Sequence, residues 1–181
     1  MHFSCRSSGH LRGFKRCLTD GGIRTQLAVS WPGSVPAGIT TNYTAAFWDF
    51  FPTILALGGV PASNIPPTDG TDISSLLLGG TPPSHPPLYW EFCTSARPYD
   101  APPRSGAGWG RAVRMGDWKG VWFFYSPPHN NMFLYNLASD IGETTDLAAA
   151  HPDIVAQMKA FAESAHVNSS TFPMGEPCTP S

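Results

Sequence analysis

The sequence predicts a mixed α/β chain that ends in a small antiparallel sheet with one helix packed on it. Three observations predict this. Leu88 to Phe92, Arg111 to Met115, Trp118 to Tyr125 and Met132 to Leu137 are short runs rich in aromatic and aliphatic residues, and Gly116-Asp117 offers a tight turn between the second and third. Behind them, Ile154, Val155, Met158, Phe161, Ala162 and Ala165 recur at helical spacing, so one apolar face should dock on the sheet. Ahead of them, a β-like run and a helical stretch, Thr25 to Trp31 and Thr44 to Leu57, supply the α/β part.

In chain order, Met1 to Gly22 is polar, broken by glycines, and reads as loop. Four cations, Arg12, Lys15, Arg16 and Arg24, flank its Gly21-Gly22 break. A lysine just ahead of a strand, on a backbone that glycines allow to turn sharply, suits an anion-contacting loop. The same cluster also reads as a solvated basic turn. Thr25 to Trp31 is predicted as a strand stopped by Pro32-Gly33. The helix over Thr44 to Leu57 has Asp49 to cap its main body, Pro52 where a missing N–H is tolerated, and Gly58-Gly59 to end it. Its Phe47, Phe50, Phe51, Ile54 and Leu57 form a broad apolar face that reads as core. Val60 to Pro87 is proline-rich and mostly loop, with an apolar run at Ile73 to Leu78, and a boundary is expected near Gly80 to Pro87. A long loop, Cys93 to Gly110, parts the first strand of the small sheet from the second. Asp140 to Thr145 is a polar turn, and Pro152 opens the last helix. Asn168 to Ser181 reads as a tail.

The 181 residues suffice for one respectable core. Only 13% are charged, whereas the 18 glycines and 19 prolines imply many turns, and 41% hydrophobic content is too high for a disordered chain. A net charge of −2 with no dense basic run gives nucleic-acid binding little support. No apolar run approaches the roughly 20 residues that span a bilayer, and the first residues carry no apolar signal-peptide core. The four cysteines (5, 17, 93, 178) show no zinc spacing; one or two disulfides are open, with pairing undefined. The six histidines show no ligand or triad spacing, and His151 reads as a helix-start residue. Asn42-Tyr43-Thr44 and Asn168-Ser169-Ser170 are glycosylation sequons, weak support for secretion.

Leu11 to Arg24, LRGFKRCLTDGGIR, resembles the late lysine segment of the sulfatase family, L-R-G-x-K-R-x-L-x-E-G-G-I-R. Five further pieces are similar to that family in the same order. They are Ala46 to Thr53, Asp69 to Gly80, Leu88 to Phe92 (LYWEF), Ala112 to Lys119 (AVRMGDWK), and a closing segment with Leu134 to Leu137, Asp140, Gly142-Glu143-Thr144 and His151-Pro152. All correspond to the C-terminal third of a sulfatase. The resemblance implies that residues 1–80 are the end of a large alkaline-phosphatase-like α/β domain. Residues 81–167 would then be a small C-terminal sheet with its helix, and 168–181 a tail.

The resemblance also implies a chemistry, hydrolysis of aryl or carbohydrate sulfate esters. In the complete family enzyme a formylglycine, made from Cys or Ser within C/S-x-P/A-x-R, attacks sulfur while calcium and nearby cations stabilise the oxygens. Neither the nucleophile motif nor the calcium ligands are found in this sequence. Cys93-Thr94-Ser95-Ala96-Arg97 has the right Cys–Arg separation, but Ser95 replaces Pro or Ala and the segment follows a strand, so the match reads as coincidence. Lys15 alone carries over, as a catalytic and substrate-binding contact to the sulfate; no residue carries over as a metal ligand. A plain surface lysine is the rival reading of Lys15. Arg12, Arg16 and Arg24 read as structural ion-pair formers, with Asp20, where the family usually has Glu, as a partner. Thr25-Gln26 departs from the family's Val-Pro, and Cys93 stands where relatives often have His, which puts substrate specificity in doubt.

Two other classes of function remain open from sequence. The chain can be a non-catalytic remnant that binds a sugar or a partner through Trp90, Trp109, Trp118 and Trp122, although aromatics in short strands are usually core. It can also be an incomplete gene product whose catalytic part is encoded upstream. In either case the chain alone is expected to be inactive, and less ordered before about residue 80 than over Leu88 to Val167, because an unpartnered strand leaves an apolar edge exposed.

Overall fold

The computed structural model describes residues 8–15, 17–94, 108–124 and 131–170. Arg16, most of the Cys93 to Gly110 loop including Arg97, and the tail beyond residue 170 lie outside the described residues, as do Cys5, Cys178, His2 and His129. The helices are α1 (Asp20–Ile23), α2 (Phe50–Leu57), α3 (Ser74–Leu77) and α4 (Pro152–Ala165), and the strands β1 (Leu88–Thr94), β2 (Gly108–Met115), β3 (Trp118–Phe124) and β4 (Phe133–Asn136). Two compact units result: residues 26–86, and the residues before them together with those from 87 onward.

The second of these units is built on an antiparallel meander in the order β1-β2-β3-β4. All four strands were expected from their aromatic and branched residues, and Gly116, at φ +60°, makes the β2–β3 turn. The pleat divides the sheet cleanly. Tyr89, Val113, Gly120 and Leu134 lie in one cross-strand row, and Trp90, Ala112, Val121 and Phe133 in the next. The first row belongs to the face that packs on α4, where Val113, Trp122, Met132 and Leu134 meet Met158 and Ala162. Gly120 lets the helix approach, since a Cβ there would sit 2.7 Å and 2.8 Å from the sulfurs of Met132 and Met158. The second row meets Leu18 and Ile23 from the segment around α1. The small sheet is therefore a platform with one face for the last helix and the other for the basic N-terminal loop.

Residues 26–86 follow a different plan. The strand expected at Thr25 to Trp31 is absent: this run pairs with no described strand, and Leu27, Val29 and Trp31 are 40–50% exposed. Its alternation fits a pleat, but a strand is defined by its neighbours, and here none is supplied. The expected helix over Thr44 to Leu57 starts later, as a 3-10 turn at Phe47–Asp49 running into α2. Its apolar face is not core either, because Phe47 is 77% and Ile54 63% exposed, while Pro52 and Thr53 are buried. The reason is a polar network. Asp49 accepts hydrogen bonds from Ala46 N–H (2.6 Å), Thr71 N–H (2.8 Å) and His85 Nε2 (3.0 Å). Thr53 Oγ1 donates to Asp49 C=O at 2.6 Å and accepts from Ile73 N–H at 3.0 Å. The loop through residue 73 is thus stitched to the polar side of α2, and the apolar side is turned outward.

Candidate functional site

The segment from Arg12 to Arg24 winds into a near-closed ring on the sheet. Cys17 N–H bonds Phe14 C=O at 2.9 Å, Gly22 N–H bonds Thr19 C=O at 2.9 Å, and Gly21 N–H reaches back to Arg12 C=O at 2.7 Å. Closure this tight needs glycine. Side chains at Gly21 or Gly22 would run into the carbonyl oxygens of Arg12 and Gly13, or of Cys17 and Phe14. Lys15 stands exposed on the ring's outer turn, whereas Cys17, Leu18, Thr19 and Asp20 are buried beneath it.

A buried charge cluster fastens the ring to the platform. Lys119, on β3, is fully buried, and its Nζ lies 2.5 Å from Asp20 Oδ1 and 3.1 Å from Glu143 Oε1. Register puts Lys119 between Arg114 and Tyr135, on the face that receives the ring. Glu143, held at φ +53°, accepts Asp20 N–H through Oε2 at 2.7 Å. Asp20 Oδ2 also pairs with Arg24 Nε at 2.5 Å and faces Arg114 at 4.0 Å. At the other end of the ring, Arg12 donates to Tyr135 Oη (2.8 Å) and Glu143 C=O (2.9 Å), with its guanidinium over the Tyr135 ring.

The two carboxyls beside this one ammonium are shifted in opposite directions. Burial pushes Asp20 up, but the charge and hydrogen bond of Lys119, joined by Arg24, outweigh it and hold Asp20 below the ordinary carboxylate range. Burial also pushes Glu143 up, and there the more distant Lys119 and the Asp20 N–H do not fully offset it. The pair of Arg24 with Asp20 agrees with the sequence reading; Arg12 bonds a phenol and a carbonyl.

Lys119 and Glu143 had no assigned role in the sequence. A lysine in an apolar strand, flanked by Trp118 and Gly120, was the available signal. Elsewhere, Glu91 is ion-paired, with His166 at 2.9 Å and Arg111 at 3.6 Å. Trp122 is buried, and Trp90 and Trp118 pack against the two cores, so these three serve packing rather than an open stacking surface. His151 sits at the start of α4 with its ring 4.7 Å from that of Trp118.

No protein-family model matches the chain. In sequence and in fold, the chain is similar to sulfatases. It is 29% identical to human arylsulfatase A over 174 residues, which covers 84% of this chain and 32% of that protein. It is 34% identical to bovine arylsulfatase A over 131 residues, covering 72% of this chain and 23% of that protein. Rat steryl-sulfatase is 29% identical over 127 residues, 69% of this chain and 21% of the relative. Among solved structures, a putative sulfatase from Bacteroides fragilis superposes with a TM-score of 0.56 at 19% identity, covering 75% of this chain and 27% of its own. The structure of Ps i-CgsB gives 0.61 at 24% identity, covering 81% and 29%. The chain spans about a third or less of each of these proteins.

Proposed function

We propose that this chain is the C-terminal portion of a sulfuric ester hydrolase acting on aryl or carbohydrate sulfates, in which Lys15 contacts the sulfate. The observation that carries this reading is the arrangement of the Lys15 ring. Its backbone is closed by glycines, its underside is pinned by Asp20, Lys119 and Glu143, and its single outward lysine is left to solvent. A lysine held on so rigid a loop can place one positive charge against an oxyanion without reorganising, which is what stabilises charge developing on a sulfate oxygen. Its ammonium would also orient the ester before bond cleavage.

The rest of the chemistry must come from elsewhere. Calcium wants six to eight oxygen ligands, and the described residues contain no group of three or more His, Cys, Asp or Glu able to hold a metal. The described residues therefore do not fit that ion. Cys93 to Arg97 is not needed as a nucleophile in this reading.

The decisive experiment has two parts. Transcript sequencing upstream of Met1 should reveal a reading frame containing C-x-P-x-R. In the protein that frame encodes, Lys15→Ala should lower kcat toward an aryl sulfate by about 10²–10³-fold, the loss typical of one oxyanion contact. Unchanged turnover in that variant would remove Lys15 from the site.

A further inference from the structure

The far end of α4 carries a second charged cluster, on the opposite face of the sheet from the Lys15 ring. His166 follows the last turn, its N–H closing on Ala162 C=O at 3.1 Å. Its Nδ1 lies 3.0 Å and 2.9 Å from the two oxygens of Glu91, on edge strand β1. Its Nε2 lies 3.0 Å from Asn168 Oδ1. A carboxylate can only accept, and with the Asn168 amide so placed both ring nitrogens must donate, which suits the imidazolium.

Among the described residues, Tyr89, Arg111 and Glu163 flank this pair. Tyr89 Oη, on β1, donates to Glu91 Oε2 at 2.5 Å, and Arg111, on β2, lies 3.6 Å from that same oxygen. Arg111 also donates to Glu163, on α4, at 2.6 Å. Glu91 thus faces His166, Arg111 and a phenol, and Glu163 takes the Nη1 side of the Arg111 guanidinium.

We propose that His166 and Glu91 form a pH-released latch that fastens the end of α4 and the residues just after it to β1. With the ring doubly protonated, the latch is a charge-assisted contact in which the Nδ1–H is shared between the two Glu91 oxygens. Loss of the proton removes the charge and leaves either Glu91 or Asn168 facing a bare acceptor nitrogen. The hydrogen bonds to Glu91 and Asn168 raise the His166 pKa above its usual value. Its contribution is therefore complete below the unfolded-state value of about 6.5 and is lost as pH rises through the higher folded-state value.

The test is an NMR titration of the full chain from pH 5 to 9, following the His166 ring and the backbone order of residues 166–170. The expected result is a ring midpoint above about 6.5, with order parameters falling from about 0.8 to below 0.6 across the same interval. Glu91→Gln should lower the midpoint and move the loss of order with it. Because that variant also deprives Arg111 of a partner, His166→Asn serves as an independent check, and residues 166–170 should then be mobile even at pH 5. Order that stays flat while the ring titrates, or an Asn variant as ordered as the parent at pH 5, would overturn the latch.

Discussion

Lys119 shows how much of this unit's stability can rest on a single side chain. Its ammonium is buried between Asp20 and Glu143, so removing it leaves two carboxyls in a poorly solvated site. Breaking a buried pair from one side typically costs about 3–5 kcal/mol. Lys119→Met should therefore lower the stability of the sheet unit by that order in urea unfolding, while leaving the side-chain volume nearly filled. A loss below about 1 kcal/mol would mean that Asp20 and Glu143 are satisfied without it. The pH dependence separates the two acids. Asp20 is held below its ordinary value, so its contribution is present above about 3.8 and fades as pH falls toward its folded-state value. Glu143 is shifted the other way, so its protonated form is favoured in the fold, and its contribution is greatest at acid pH and declines as pH rises above about 4.3. Asp20→Asn should flatten the acid limb of the stability profile relative to the parent. An identical acid limb in both proteins would remove Asp20 from the account.

At the scale of elements, the ring and the meander are read from the chain with unequal ease. The strands were legible as aromatic and aliphatic runs around a Gly116-Asp117 turn, and both faces are covered, Val113 and Leu134 on one and Ala112 and Val121 on the other. The α4 helix was legible from its apolar residues at a period of 3.6. Nothing local reveals that Lys119 reaches Asp20, 99 residues away. The pair is a product of topology, visible only once the ring is laid on β3. The glycines offer the test at this scale. Gly22→Ala should cost about 1–3 kcal/mol, as overpacking does, because its Cβ meets backbone oxygens that cannot rotate aside. Gly33→Ala provides a contrast: at φ +84° it is strained, but no atom lies within 4 Å. If both substitutions cost the same, ring closure is not what the glycine at 22 secures.

For the whole molecule, residues 26–86 are the part that sequence patterns misjudged. Apolar periodicity marks a surface that excludes water in some assembly; it does not say that the covering partner is in the same chain. Phe47, Phe51, Ile54, Leu27 and Trp31 carry such a pattern and are exposed. Asp49 and Thr53, which look like ordinary polar helix residues, are instead the buried centre of that unit. Amide exchange should reflect the division. Protection of β2 and β3 should exceed that of α2 by at least an order of magnitude, since the strands sit in a two-faced core and α2 is held largely by polar contacts. Uniform protection would show that residues 26–86 are held as firmly as the sheet. A hydrophobic dye should likewise bind the protein and brighten, as exposed apolar surface of this extent predicts.

The closed ring has one more consequence, for the length of the chain that forms it. Its interior is filled with carbonyl oxygens, so the count of residues between Arg12 and Asp20 is set by geometry rather than by taste for particular side chains. One residue added or removed there would change the backbone path by up to about 3.8 Å and carry Asp20 away from Lys119. The stretch therefore acts as a gauge block. Loops elsewhere in this protein can be lengthened at modest cost, whereas an insertion in this ring would be felt at once in the interior of the sheet.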